Sequence, residues 1–162
     1  MYVLETVADT RDFGRRLASL LKAGDLVLLT GPLGAGKTAL AQGIGAGLEV
    51  AGTVTSPTFV IARVHRGSAA GGPALVHVDA YRLGNVADPR AEVDDLDLDA
   101  SLDDSVTLVE WGEGMVEQLS EAYLEVLIDR RDDDVREVSV AGHGGDWAAR
   151  LATLEEPSCV SR

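Results

Sequence analysis

Between Thr30 and Ala39 the chain reads Gly31-Pro32-Leu33-Gly34-Ala35-Gly36-Lys37-Thr38. This satisfies G-x-x-x-x-G-K-[ST] at every fixed position. No other feature constrains the chain as tightly, because the loop needs a particular setting. Asp25 to Thr30 before it is a short apolar run, the mark of a buried parallel strand. Lys37 to about Leu48 after it reads as a helix. In a strand–turn–helix of this kind the glycines let backbone N–H groups converge on an anion at the helix N-terminus. Lys37 is then set to reach β- and γ-phosphates, and the Thr38 hydroxyl to complete a Mg²⁺ shell. Residues 31–38 are therefore the candidate nucleotide-binding loop. Gly43, Gly45 and Gly47 each cost a helix up to about 1 kcal/mol relative to Ala. Packing or a ligand must hold that helix.

The chain has 162 residues, one domain by ordinary size. Aromatics are only 4%, so the core must come from Val, Leu, Ala and Ile. The net charge is −13, which argues against binding nucleic acid through a general basic surface. The charge is uneven: residues 1–80 carry 6 acids and 7 bases, residues 81–162 carry 21 acids and 7 bases. The lysines are Lys22 and Lys37 alone. Cys159 is the one cysteine and forms no intramolecular disulfide, which suits a reducing compartment. With no signal-peptide pattern and no apolar stretch long enough to span a bilayer, a cytoplasmic protein is expected.

The pattern predicts a strand over 2–8 and a helix over about 11–23, capped by Asp9 or Thr10. Phe13, Leu17, Leu20 and Leu21 would form its apolar stripe. Further strands are expected over 58–65, 75–79 and 106–111. A hairpin is expected over 124–129 and 135–140, and a helix over 147–154. A short helix over 88–98 and a helical turn over 115–119 complete the reading. Strands alternating with helices, followed by strands in series, predict a three-layer α/β fold of the P-loop NTPase type. Its central parallel sheet would carry antiparallel additions and be flanked by helices. The expected division is an ATPase domain over 1–146 and a C-terminal helix and tail over 147–162.

Two apolar strands end in an acid, at Asp79 and at Glu110. Strands beside the P-loop strand deliver acids to the Mg²⁺ side of the phosphates. One acid would hold Mg²⁺ and the other orient the attacking water, although a strand-end acid can also simply cap a loop. Thr55-Ser56-Pro57-Thr58 is a hydroxyl cluster suited to sensing a γ-phosphate, or a plain turn. Trp111 could cover the nucleotide or fill the core. His65, His77 and His143 are too dispersed to suggest zinc and read as structural. The guanine-reading N-K-x-D and the switch D-x-x-G are absent, which leaves ATP as the expected nucleotide.

Four motifs in order, GPLGAGKT at 31–38, TSPTF at 55–59, HVDAYRL at 77–83 and VEWGE at 109–113, resemble the TsaE (YjeE) family over roughly residues 2–142. That family comprises small P-loop ATPases needed for threonylcarbamoyladenosine modification of tRNA. The resemblance implies an ATPase acting with the TsaD and TsaB proteins and using ATP and Mg²⁺. Carried over by motif, Lys37 contacts phosphates, Thr38 and Glu110 hold Mg²⁺, and Asp79 is a second acid near metal and water. Thr55, Ser56 and Thr58 form a switch-like loop, and Trp111 lies at the nucleotide. Tyr81 and Arg82 share the motif without an assigned role. Gly112 stands where many members have Pro.

Two other classes fit the loop: a small-molecule kinase, with Arg130, Arg131 or Arg136 as lid residues, and a nucleotide-gated binding module without turnover. The acidic second half would repel tRNA at long range, so contact with tRNA is expected to run through protein partners.

Overall fold

Apolar strands flanking the glycine loop assemble the centre of the sheet. A computed structural model describes residues 1–32, 34–50, 62–65, 67, 72–79, 105–110 and 121–155. The strands are β1 (Tyr2–Leu4), β2 (Leu26–Thr30), β3 (Ala62–His65), β4 (Ala74–Asp79), β5 (Ser105–Glu110), β6 (Tyr123–Arg130) and β7 (Arg136–His143). The helices are α1 (Val7–Ala18), α2 (Lys37–Gly47) and α3 (Trp147–Glu155). Among the described residues the sheet order is β1-β7-β6-β2-β5-β4-β3. Strands β6, β2, β5 and β4 are mutually parallel, while β7 and β3 run antiparallel to their inner neighbours. This is the predicted parallel centre with antiparallel additions. Strand β2 thus sits mid-sheet, and its C-terminal end opens into the loop.

Both faces of β2 and β5 are buried, as near-continuous apolar runs require, while β6 buries one face and leaves Leu127 of the other exposed. On one face Val27, Leu29, Leu108, Val126 and Ile128 join Phe13 and Leu17 of α1, Leu40 and Ile44 of α2, and Trp147 and Leu154 of α3 in one cluster. The C-terminal helix therefore shares a core with the loop helix. On the other face Leu26, Leu28, Val76, Val78 and Val109 are buried too.

The glycines of α2 are explained by its contact with α1. A β-carbon on Gly43 would stand 2.1 Å from the Arg11 carbonyl oxygen, and one on Gly14 would stand 2.5 Å from the Leu40 carbonyl oxygen. The two backbones touch where side chains are missing, so packing replaces propensity.

The N-terminus departs from the sequence reading. The strand is Tyr2–Leu4 rather than 2–8, and α1 starts at Val7 rather than near 11. Thr6 is the cap: its hydroxyl accepts from the Asp9 N–H at 3.0 Å, and Asp9 Oδ2 accepts from the Thr6 N–H at 3.0 Å. This reciprocal capping box satisfies two helix-end donors at once, which neither Asp9 nor Thr10 as cap would do. The helix also stops at Ala18, beyond which the chain tightens into i→i+3 bonds from the Leu20 N–H to the Leu17 carbonyl at 2.9 Å and from the Leu21 N–H to the Ala18 carbonyl at 3.1 Å. Leu21 stays buried just beyond the helix. The expected segments 88–98 and 115–119 lie outside the described residues. Among the described residues no helix is long and apolar enough to cross a membrane.

Candidate nucleotide-binding site

The loop is shaped from both ends. At its start Gly31 lies hard against β6, where a β-carbon would meet the Ile128 carbonyl oxygen at 2.3 Å. At its end Gly36 is the N-cap of α2 with φ +107°, a conformation side chains rarely adopt. Among the described residues no side-chain hydrogen bond caps this helix. The N-terminus of α2 carries partial positive charge, which favours an anion. Gly34 and Pro32 are exposed, Ala35 is buried, and Thr38 is half-buried at the head of α2. Lys37 is buried, and its Nζ donates to the Gly31 carbonyl at 2.6 Å. The ammonium therefore closes the loop across its mouth.

The acids arrive from the neighbouring strands. Glu110 ends β5 in register with Leu29 of β2, and Asp79 ends β4 in register with Glu110. Parallel pairing thus brings both acid-bearing strand ends to the edge where the loop begins. Glu110 is only 4% exposed, a costly place for a carboxylate without partners. Its partner is His77, fully buried, with Nε2 at 2.9 Å from Glu110 Oε2. An ionised Glu110 can only accept, so His77 carries its proton on Nε2 in this pair. Nδ1 of His77 makes no hydrogen bond among the described residues, and neither does the buried hydroxyl of Thr30 at the loop entrance.

By sequence alone His77 reads as structural. The signal was its place two residues before Asp79, which puts it on the same face of the strand. Leu33, Thr55, Ser56, Thr58, Trp111, Tyr81 and Arg82 lie outside the described residues, and Asp79 is described by its backbone alone. On the far side of the loop, Arg136 of β7 brings its Nε to 3.3 Å from where a β-carbon on Gly36 would stand.

These residues suit a magnesium nucleotide. The donors are hard oxygens, the loop is a backbone cradle, and Lys37 brings a positive charge. Among the described residues no three potential metal ligands cluster. Mg²⁺ takes one or two carboxylates and draws the rest of its shell from phosphate and water.

The sheet order, with the glycine loop joining a central strand to a helix and an acid ending the adjacent strand, defines a P-loop NTPase fold. Residues 4–138 match the family model described as Threonylcarbamoyl adenosine biosynthesis protein TsaE, and the chain belongs to that family. It is 61% identical to the tRNA threonylcarbamoyladenosine biosynthesis protein TsaE of Streptomyces coelicolor, over 85% of this chain and 93% of that protein. It is 36% identical to the Bacillus subtilis protein of the same name, over 94% of this chain and 92% of that one. The crystal structure of Bacillus subtilis YdiB superposes with a TM-score of 0.72 at 28% identity, covering 94% of this chain and 90% of that one.

Proposed function

We propose that this protein is a Mg²⁺-dependent ATPase that serves tRNA threonylcarbamoyladenosine biosynthesis in the cytoplasm, acting on a complex of TsaB and TsaD. The observation that carries the reading is the glycine loop with buried Lys37 on one side and buried Glu110 on the adjacent strand, in a chain of this family. Phosphoryl transfer asks a protein chiefly for positioning and charge stabilisation. The loop N–H groups and Lys37 bind the phosphates. Thr38 and one of the two acids, Glu110 or Asp79, would hold Mg²⁺, which would supply further positive charge on the phosphate oxygens. The acid that does not bind metal orients the water. The acidic second half disfavours direct contact with tRNA, so the effect on tRNA passes through the protein partners.

The test is release of phosphate from ATP, alone and with TsaB and TsaD present. Slow hydrolysis alone, a rise with the partners, and loss of both in Lys37→Ala and Glu110→Ala are expected. Unchanged hydrolysis in either variant would overturn the site assignment. Acceptor-dependent formation of a phosphorylated metabolite would instead mark a kinase.

A further inference from the structure

We propose that Arg136 is a second phosphate-binding cation of this site, reaching the nucleotide from β7 on the side of the loop opposite Glu110. The inference rests on the nucleotide-binding reading above. Its starting point is sheet order. Strand β2 feeds the loop, β5 with Glu110 flanks it on one side, and β6 followed by β7 flanks it on the other. Lys37 and Glu110 account for the near side. The far side has Ile128 and Arg136 against the last loop glycine. A β-carbon on Gly36 would meet Arg136 Nε at 3.3 Å, Ile128 Cδ1 at 3.4 Å and Arg136 Cδ at 3.7 Å. The guanidinium thus lies beside the residue that caps α2 and precedes Lys37.

The hairpin that carries Arg136 has two other arginines, and their charges are already matched. Arg130 pairs with Asp134, and Arg131 pairs with Asp133 at 3.3 Å and Glu137 at 3.6 Å. Arg136 pairs with no carboxylate among the described residues. Its Nη1 donates instead to the main-chain carbonyl of Asp134 at 2.5 Å. Asp134 adopts φ +65°, the left-handed turn of the hairpin. This contact anchors the side chain, and among the described residues no carboxylate compensates its charge. Arg136 is half-buried, and a partly desolvated cation is favoured beside an anion. A guanidinium has five donors in a rigid fork that matches phosphate oxygens, so one bond to Asp134 does not exhaust it. The chemistry recognised is the phosphate chain, not the base.

Binding of inorganic tripolyphosphate and of ADP to the full chain, measured by calorimetry, tests this. Arg136→Gln should weaken both on the order of tenfold, as loss of a charge-assisted hydrogen bond does. Arg131→Gln, whose arginine is paired within the hairpin, should change neither. Equal affinities in R136Q and R131Q would overturn the inference, as would a loss confined to ADP, which would point to the nucleoside. If the wild-type chain binds neither probe, the nucleotide-binding reading falls and takes this one with it. If Lys37→Ala abolishes binding while R136Q leaves it intact, only the role of Arg136 falls. A readout that needs no variant is labelling of the wild-type chain with phenylglyoxal, mapped by peptide mass. Saturating tripolyphosphate should slow labelling of Arg136 and leave Arg131 unaffected, and equal labelling with and without it would count against the proposal.

Discussion

His77 Nε2 and Glu110 Oε2 stand 2.9 Å apart, with both side chains closed off from solvent. The pair joins the C-terminal halves of β4 and β5 on the face that carries the loop helix. It fixes one oxygen of a carboxylate that the proposed reaction needs at the loop edge. His77→Ala leaves that buried carboxylate without its donor, which costs about 1–3 kcal/mol. Urea unfolding should show this loss, and kcat for ATP should fall while KM changes less. His77→Gln retains a donor and should recover part of both. Wild-type stability and kcat in His77→Ala would show that the contact positions nothing.

Gly43 tests the α1–α2 contact, because two effects oppose each other there. Alanine improves helix propensity by about 1 kcal/mol. Its β-carbon would also stand 2.1 Å from the Arg11 carbonyl oxygen, which belongs to backbone and cannot rotate away. Overpacking of this kind costs about 1–3 kcal/mol, and a backbone clash lies at the upper end. Gly43→Ala should therefore destabilise the protein on balance, with a lower denaturant midpoint. A raised midpoint would mean that the helices separate freely.

The strand–loop–helix around residues 31–38 was legible in the sequence because it is local: consecutive residues set the turn between β2 and α2. Asp79 and Glu110 were legible as strand-end acids, since apolar runs mark strands without knowledge of their neighbours. Their pairing was not, because register is a property of two strands. The same limit hid the link between His77 and Glu110, which are 33 residues apart in the chain. It also hid Arg136, which comes close to Gly36 only through the order β7-β6-β2. The error at the start of α1 had another origin. Glu5 to Ala8 is compatible with a strand by composition, and the capping box between Thr6 and Asp9 settles the competition in favour of helix.

That competition gives a prediction of its own. Thr6→Ala removes the oxygen that accepts from the Asp9 N–H. Loss of an N-cap of this type costs about 1 kcal/mol, against a few tenths for replacement by Gly. Thermal or urea unfolding should rank wild type above Thr6→Gly and Thr6→Ala lowest. Because α1 packs on α2, amide exchange in the first turn of α1 should quicken first. Equal stability of all three would show that the helix start is held by packing alone.

The docking of α3 should depend on pH through Asp146. Arg150 Nη1 donates to Asp25 Oδ2 at 2.6 Å, Arg150 Nη2 donates to Asp146 Oδ1 at 2.9 Å, and the guanidinium lies 4.3 Å from the Trp147 ring centre. Burial disfavours the charge on Arg150, but its hydrogen bonds to Asp25 and Asp146, with their Coulomb attraction, outweigh that and hold its pKa above the usual value. The Arg150 hydrogen bond holds the Asp146 carboxyl below its ordinary value, aided by the nearby charges of Arg150 and Lys22. A carboxyl depressed by folding stabilises the native state above its unfolded pKa of about 3.9 and loses that contribution as pH falls through the folded value. Asp146→Asn should therefore be less stable than wild type at about pH 7, and the gap should close as the pH falls below about 4. Asp146 is exposed, so the gap should be small and shrink further in high salt. Urea titrations of both proteins across this range check it. A gap that stayed constant down to about pH 2 could not come from ionisation of Asp146.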